Sequence, residues 1–134
     1  MKSLVAISTG LLLLAPSSCT TLSRGEKEKL AELRSLGVRE HETVKHPAVA
    51  GALNLLPGCG NFYLAVGADE GDHWLYGFLN LLTWPLSIFW GVPEAAIDAS
   101  NINDRQMIYY FMYDPAGKAE FEALKAHHSV APAK

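Results

Sequence analysis

Apolar residues gather in three runs along this chain, at 4–15, 47–66 and 74–97, with polar segments between them. The third run is the strongest. From Trp74 to Ala99 the only charges are Glu94 and Asp98, both near its end. A helix that crosses a bilayer needs about 20 mostly apolar residues, so the second and third runs predict two closely linked membrane helices. The first run has the length of a secretory h-region and is short for a span.

Proline, glycine and asparagine shape the predicted hairpin. Pro57 removes a backbone donor and crowds the preceding turn, so with Gly58 and Gly60 it should kink the first arm. In lipid the freed carbonyls need partners, so the kink should face protein. Gly51, Ala52, Gly58 and Gly60 are small enough for a second helix to come close, with Asn54 and Asn61 bonding across the contact. The 68–73 loop is acidic and carries no Lys or Arg. Pro85 and Pro93 should segment the second arm, with Thr83 and Ser87 placed to satisfy backbone freed near Pro85. Trp74 and Tyr76 suit an interfacial belt.

The flanks are polar. Ser23 followed by Glu26 is a capping-box pattern, Leu30, Leu33 and Leu36 share a helix face, and Gly37 suits its end. Basic and acidic residues are interleaved there, which reads as a solvated face; His41 and His46 read as interfacial polar residues. After the hairpin, Asn101 to Asp104 reads as a helix exit. Met107 to Tyr113 is β-branched and aromatic, and predicts a strand that pairs with its own copy or a partner, or an interfacial segment. Asp114-Pro115 then opens a short helix with Phe121 and Leu124 on one face.

The expected fold is therefore mainly α: a membrane-embedded two-helix hairpin kinked by Pro and Gly, a short N-terminal amphipathic helix, and a small strand-plus-helix C-terminal tail. The segments are 1–18, a signal peptide; 19–46, the N-terminal flank; 47–99, the hairpin; and 100–134, the tail.

Net charge is −3 and charged residues make up 19% of the chain, which gives nucleic-acid binding no electrostatic support. There is no metal-ligand spacing, nucleophile elbow or phosphate loop, so no enzyme activity, catalytic residue, metal or cofactor is expected. His127 and His128 are neighbours, and neighbours on a helix point apart. Glu94 and Asp98, four residues apart, share a helix face. Two readings of that pair stand. Intramembrane carboxylates suggest a proton relay, an ion site or a partner contact. Alternatively, Pro93 starts a short interfacial helix with Glu94 in its first turn.

Two resemblances add to this. Met1-Lys2, the apolar stretch Leu4 to Ala15, Pro16-Ser17-Ser18 and then Cys19 resemble a bacterial lipoprotein signal. The resemblance implies that Cys19 receives a diacylglyceryl group, with palmitate-type chains, and becomes the first residue after cleavage. Gly58-Cys59-Gly60-Asn61-Phe62-Tyr63-Leu64, followed by a polar loop, Gly77-Phe78-Leu79-Asn80-Leu81-Leu82-Thr83 and an ending from Trp90 to Asp98, resembles the TM2-domain family. That resemblance covers 45–103, with Phe62, Tyr63 and Asp98 as matching positions. It implies paired membrane helices and says little of activity.

The expected function is a non-enzymatic, lipid-anchored component of the cell envelope with a structural or interaction role. Its partners would be membrane lipid and either a second copy or another envelope protein. The expected location is the inner membrane facing the periplasm, with the outer membrane as the alternative. The other expectation is a small oligomeric transport or ion-conducting protein using Glu94 and Asp98. Whether the hairpin crosses or only dips into one leaflet stays open.

Overall fold

A computed structural model describes residues 20–67 and 71–130. The proposed signal peptide, Cys19 and half of the 68–73 loop lie outside them. The described residues form helices α1 (Arg24–Ser35), α2 (Pro47–Leu53), α3 (Cys59–Ala65), α4 (Asp72–Leu82), α5 (Ile88–Tyr113) and α6 (Pro115–Val130). The chain divides into two compact units. One holds Thr20 and residues 45–99; the other holds 21–44 and 100–130. Helix α5 gives its first half to one unit and its second half to the other.

The unit built from 21–44 and 100–130 joins the N-terminal flank to the tail. Helix α1 starts on a complete capping box, Ser23 with Glu26, and Gly37 follows it at φ 90°, a left-handed position that glycine takes without a Cβ clash. Leu30 and Leu33 of α1 pack with Leu22, Met107, Ile108, Phe111 and Phe121 in one apolar core. Arg105 pairs with Glu26 at 2.9 Å and Arg34 with Asp104 at 3.1 Å. His41 stacks on Tyr110, ring centroids 3.8 Å apart. Asp114 caps α6, its carboxylate accepting from the amide of Ala116 at 2.8 Å.

The expected strand at Met107–Tyr113 is overturned: the described residues contain no strand, and this segment is the last part of α5. Buried Met107, Ile108 and Phe111 recur at helical spacing, while Tyr109 and Tyr113 stay exposed. Packing against α1 and α6 residues in that core outweighs a β propensity worth about 1 kcal/mol across its whole scale.

The two-span membrane hairpin is overturned as well. No helix among the described residues is long and apolar enough to cross a membrane. The first arm breaks between Leu53 and Cys59 into two seven-residue helices. The second breaks at 83–87, around a cis Trp84–Pro85 bond. Helix α5 has 26 residues, but its apolar start soon gives way to Glu94, Asp98, Asn101, Asn103, Asp104 and Arg105. Pro93 lies inside α5 and does not start it.

In the unit of 45–99, α3 packs against both α2 and α4. Backbone amides are paired across the breaks. Leu55 and Leu56 donate to Ala52 and Leu53, Cys59 to Leu56, Leu86 to Thr83, and Ile88 to Pro85. The Thr83 hydroxyl donates to the Leu79 carbonyl at 2.9 Å, and the Ser87 hydroxyl to the Asn80 carbonyl at 2.9 Å.

Candidate functional site

The interior of the 45–99 unit is rich in polar side chains, set among Leu64 and small alanines, and its largest apolar side chains are mostly exposed. Asn54, Asn61, His73, Asn80, Ser87, Glu94 and Asp98 are buried. Leu55, Leu56, Leu75, Phe78, Leu82, Trp84, Leu86 and Phe89 are exposed, Leu82 at 79% and Phe89 at 83%. This reverses the usual sorting, in which buried side chains are apolar and buried polar groups are the exception.

An asparagine cluster ties the four helices of this unit together. Asn54 follows α2, Asn61 lies on α3 and Asn80 on α4. The Asn61 side-chain carbonyl accepts from the amides of Asn54 at 2.9 Å and Asn80 at 3.1 Å. Asn54 also donates to the Gly91 carbonyl of α5 and accepts from the Gly60 amide at 3.0 Å. The Trp90 indole donates to Asn80 at 3.2 Å. Asn54 thus caps the start of α3 from the break that Pro57 creates.

Small residues make that approach possible. Gly58 has φ 72°, and a Cβ there would fall on the backbone of Gly77. A Cβ on Gly77 would enter the Phe62 ring, and one on Gly60 would meet Asn54 and the Ala50 carbonyl. Phe62 packs between Trp74 and Phe78 at centroid distances of 5.5 and 5.8 Å. The Tyr63 hydroxyl accepts from the His46 amide at 3.1 Å. Lys45 donates to the carbonyls of Tyr63, at 2.8 Å, and Val66. It stands 4.8 Å over the Tyr63 ring, a cation at the end of α3 where the helix dipole favours one. Burial lowers its pKa. The motif residues Gly58, Gly60, Phe62 and Tyr63 are thus packing and capping residues, and Cys59 is a free, half-buried thiol.

The second buried cluster contains the acidic pair. Asp98 accepts the backbone amide of Thr20, and the Thr20 hydroxyl lies 3.2 Å from Nε2 of His73 on α4. Glu94, one turn before Asp98, is 7% exposed, and its Oε1 has no hydrogen-bond partner. Burial, and then the negative charge of Asp98, push its pKa up to about 7. No group of three or more His, Cys, Asp or Glu residues among the described residues is arranged to hold a metal ion.

The structure therefore brings Glu94, Asp98, His73 and Thr20 into one neighbourhood, and Gly58, Gly60, Phe62 and Tyr63 into another around the asparagines. Sequence reasoning missed Thr20, His73, Asn80 and Lys45 as members of these clusters. His73 had one available signal, a lone imidazole at the start of an apolar helix. Thr20 had none, because its partners lie 53 and 78 positions away.

Comparison of the chain with protein-family models, curated proteins and solved structures finds no match. The likeness to TM2-domain and lipoprotein sequences stands on the quoted residues alone.

Proposed function

We propose that this chain is a non-enzymatic, lipid-anchored envelope component whose 45–99 unit rests its apolar surface in one leaflet of a bilayer. The observation that carries this reading is the reversed polarity of that unit: asparagines, His73 and two carboxylates inside, Leu82, Trp84, Leu86 and Phe89 outside. Water penalises such an arrangement, since exposed apolar patches of this extent mark interaction surfaces. Hydrocarbon favours it, because the buried asparagines bond one another and the outer face needs no water. Broken helices suit that setting when backbone at the breaks is satisfied internally, and at the turns Asn54, Leu55, Leu56, Cys59, Thr83, Leu86, Ser87, Ile88 and Phe89 donate their amides within the unit.

The unit of 21–44 and 100–130 carries ion pairs on its surface and belongs in water. It is the surface offered to an envelope protein or a second copy. The lipoprotein-like signal supplies the second attachment, since one acyl group alone holds a bilayer only marginally. The periplasmic face of the inner membrane is the favoured location and the outer membrane the alternative. The transport reading has only the Glu94–Asp98 pair behind it.

All three tryptophans, Trp74, Trp84 and Trp90, lie in the 45–99 unit, which gives a direct test. The protein is reconstituted into vesicles whose acyl chains carry bromine near the headgroup end. Strong fluorescence quenching by these lipids, with weak quenching by aqueous iodide, is expected. Ready quenching by iodide and none by brominated lipid would end the lipid-facing reading.

A further inference from the structure

We propose that the 45–99 unit enters the leaflet tip first, so that its two helix breaks meet the ends of the acyl chains and its charged end lies among the headgroups. The inference deepens the lipid-facing reading and rests on it. The partner of the two breaks is the hydrocarbon of a single leaflet, which the unit fills in depth without crossing to the other side.

Helices α2 and α3 form one hairpin around the break at 53–59, and α4 and α5 form a second around the break at 83–87. Hydrogen bonds put both breaks at one end of the unit. Asn54, in the first break, donates to the Gly91 carbonyl just past the second. Ser87, in the second break, donates to the Asn80 carbonyl, and the Asn80 side chain bonds Asn61 near the start of α3. Other contacts hold the opposite end. Lys45 donates to the carbonyls of Tyr63 and Val66, where α3 finishes. Thr20 joins Asp98 of α5 to His73 in the first turn of α4.

Charge is sorted along the same axis. Pro47 to Gly67 and Trp74 to Pro93 contain no charged residue. Lys45, Asp72 and Asp98 stand at the end away from the breaks, and Glu94, between the two ends, is buried. The break end presents Leu55, Leu56, Leu82, Trp84, Leu86 and Phe89, each more than half exposed. A leaflet has the complementary profile, with phosphates and water at one face and no tolerance for charge at its centre.

The height agrees as well. The 11 residues of α4 rise about 16 Å, and half of a hydrocarbon core about 30 Å thick is about 15 Å. Trp74, in the first turn of α4, then reaches the headgroup level, where tryptophan is favoured. The Trp90 indole lies deeper and is already bonded to Asn80.

The test uses the full chain in vesicles, as two single-tryptophan proteins, one keeping Trp74 and one keeping Trp84, with the other tryptophans changed to phenylalanine. Lipids brominated near the headgroup end or near the methyl end of the acyl chain report depth. Trp84 should be quenched more strongly by methyl-end bromine and Trp74 by headgroup-end bromine, a depth separation of roughly 15 Å. A second pair guards against loss of fold in those chains. Val66→Cys and Leu86→Cys, both at exposed positions, each carry a nitroxide in a chain whose own cysteines are serine. Oxygen should relax the label at 86 more than the one at 66, and a water-soluble nickel chelate the reverse. Equal depths for the two ends, with lipid quenching intact, would overturn tip-first entry and leave the lipid-facing reading standing, with the unit lying on its side. A label at 86 that the chelate reaches as readily as the one at 66 would overturn it too. Protection of both tryptophans from both brominated lipids, as a second copy over the breaks would give, would overturn both readings.

Discussion

Asn61 and Asn80, nineteen residues apart, share a 3.1 Å hydrogen bond inside the 45–99 unit. The Asn61 oxygen takes a second bond from Asn54. One side-chain oxygen therefore satisfies two buried donors. Asn61→Ala leaves both amides short of this partner, at about 1–3 kcal/mol each when no other bond replaces it. Asn54 keeps its bond to Gly91, so the expected total is about 2–4 kcal/mol, read as a lower midpoint in chemical denaturation. Asn54→Ala should cost at least as much, because it also uncaps Gly60.

Gly77 and Phe62 form a matched pair. Gly77→Ala drives a methyl into the Phe62 ring, and overpacking of this kind costs about 1–3 kcal/mol. Gly71→Ala is the control, since its Cβ would meet nothing within 4 Å. The double variant Gly77→Ala with Phe62→Leu should be less destabilised than the sum of the singles. Strict additivity in that cycle would mean that the contact does not limit packing.

Glu94 predicts a pH dependence of defined sign. Its folded pKa of about 7 is above the ordinary 4.5, so between those values the folded state binds more protons than the unfolded state. Stability then falls as pH rises from about 4.5 to about 7, and levels off above. The loss should approach about 3 kcal/mol. Comparing denaturation midpoints at pH 4.5 and pH 8 measures it. Glu94→Gln should remove this component of the dependence.

The unit of 21–44 and 100–130 should respond to apolar truncation far more than to loss of charge. Phe111 is 2% exposed within its core, and Phe111→Ala should cost about 3–5 kcal/mol. Arg105→Ala breaks a partly exposed pair with Glu26 and a bond to the Thr21 carbonyl, at about 1 kcal/mol. Thermal melts of the two variants give the order directly. A larger shift for Arg105→Ala would mean that the ion pair, and not the apolar core, holds α1 in this unit.

Several local features were legible in the sequence because their causes are local. The capping box at Ser23 and Glu26, the glycine after α1 and the Asp114 cap each act over three or four residues. Thr83 and Ser87 also act nearby, bonding carbonyls four and seven positions back. Pro57 and Pro85 marked the helix breaks because a missing donor acts where it stands. The strand at 107–113 was misread because aromatic and β-branched residues suit either conformation, and the choice fell to a core assembled from α1 and α6. The span was misread because apolar content alone does not reveal that the helices end near Pro57 and Pro85, where a kink was expected, or that α5 turns polar after Pro93.

By itself, then, the sequence determined that helices break near Pro57 and Pro85, how α1 and α6 begin, and that one stretch is unusually apolar; it placed further breaks at Pro93 and at Asn101 to Asp104, where α5 runs on. Only the tertiary structure decided that the flank and the tail fold together, that the asparagines meet, and that Thr20 lies on Asp98. Caps and breaks depend on backbone groups within one turn, and so are written in adjacent residues. Burial depends on which distant surfaces coincide, so the polar interior of an apolar-faced unit came into view only once the helices were packed.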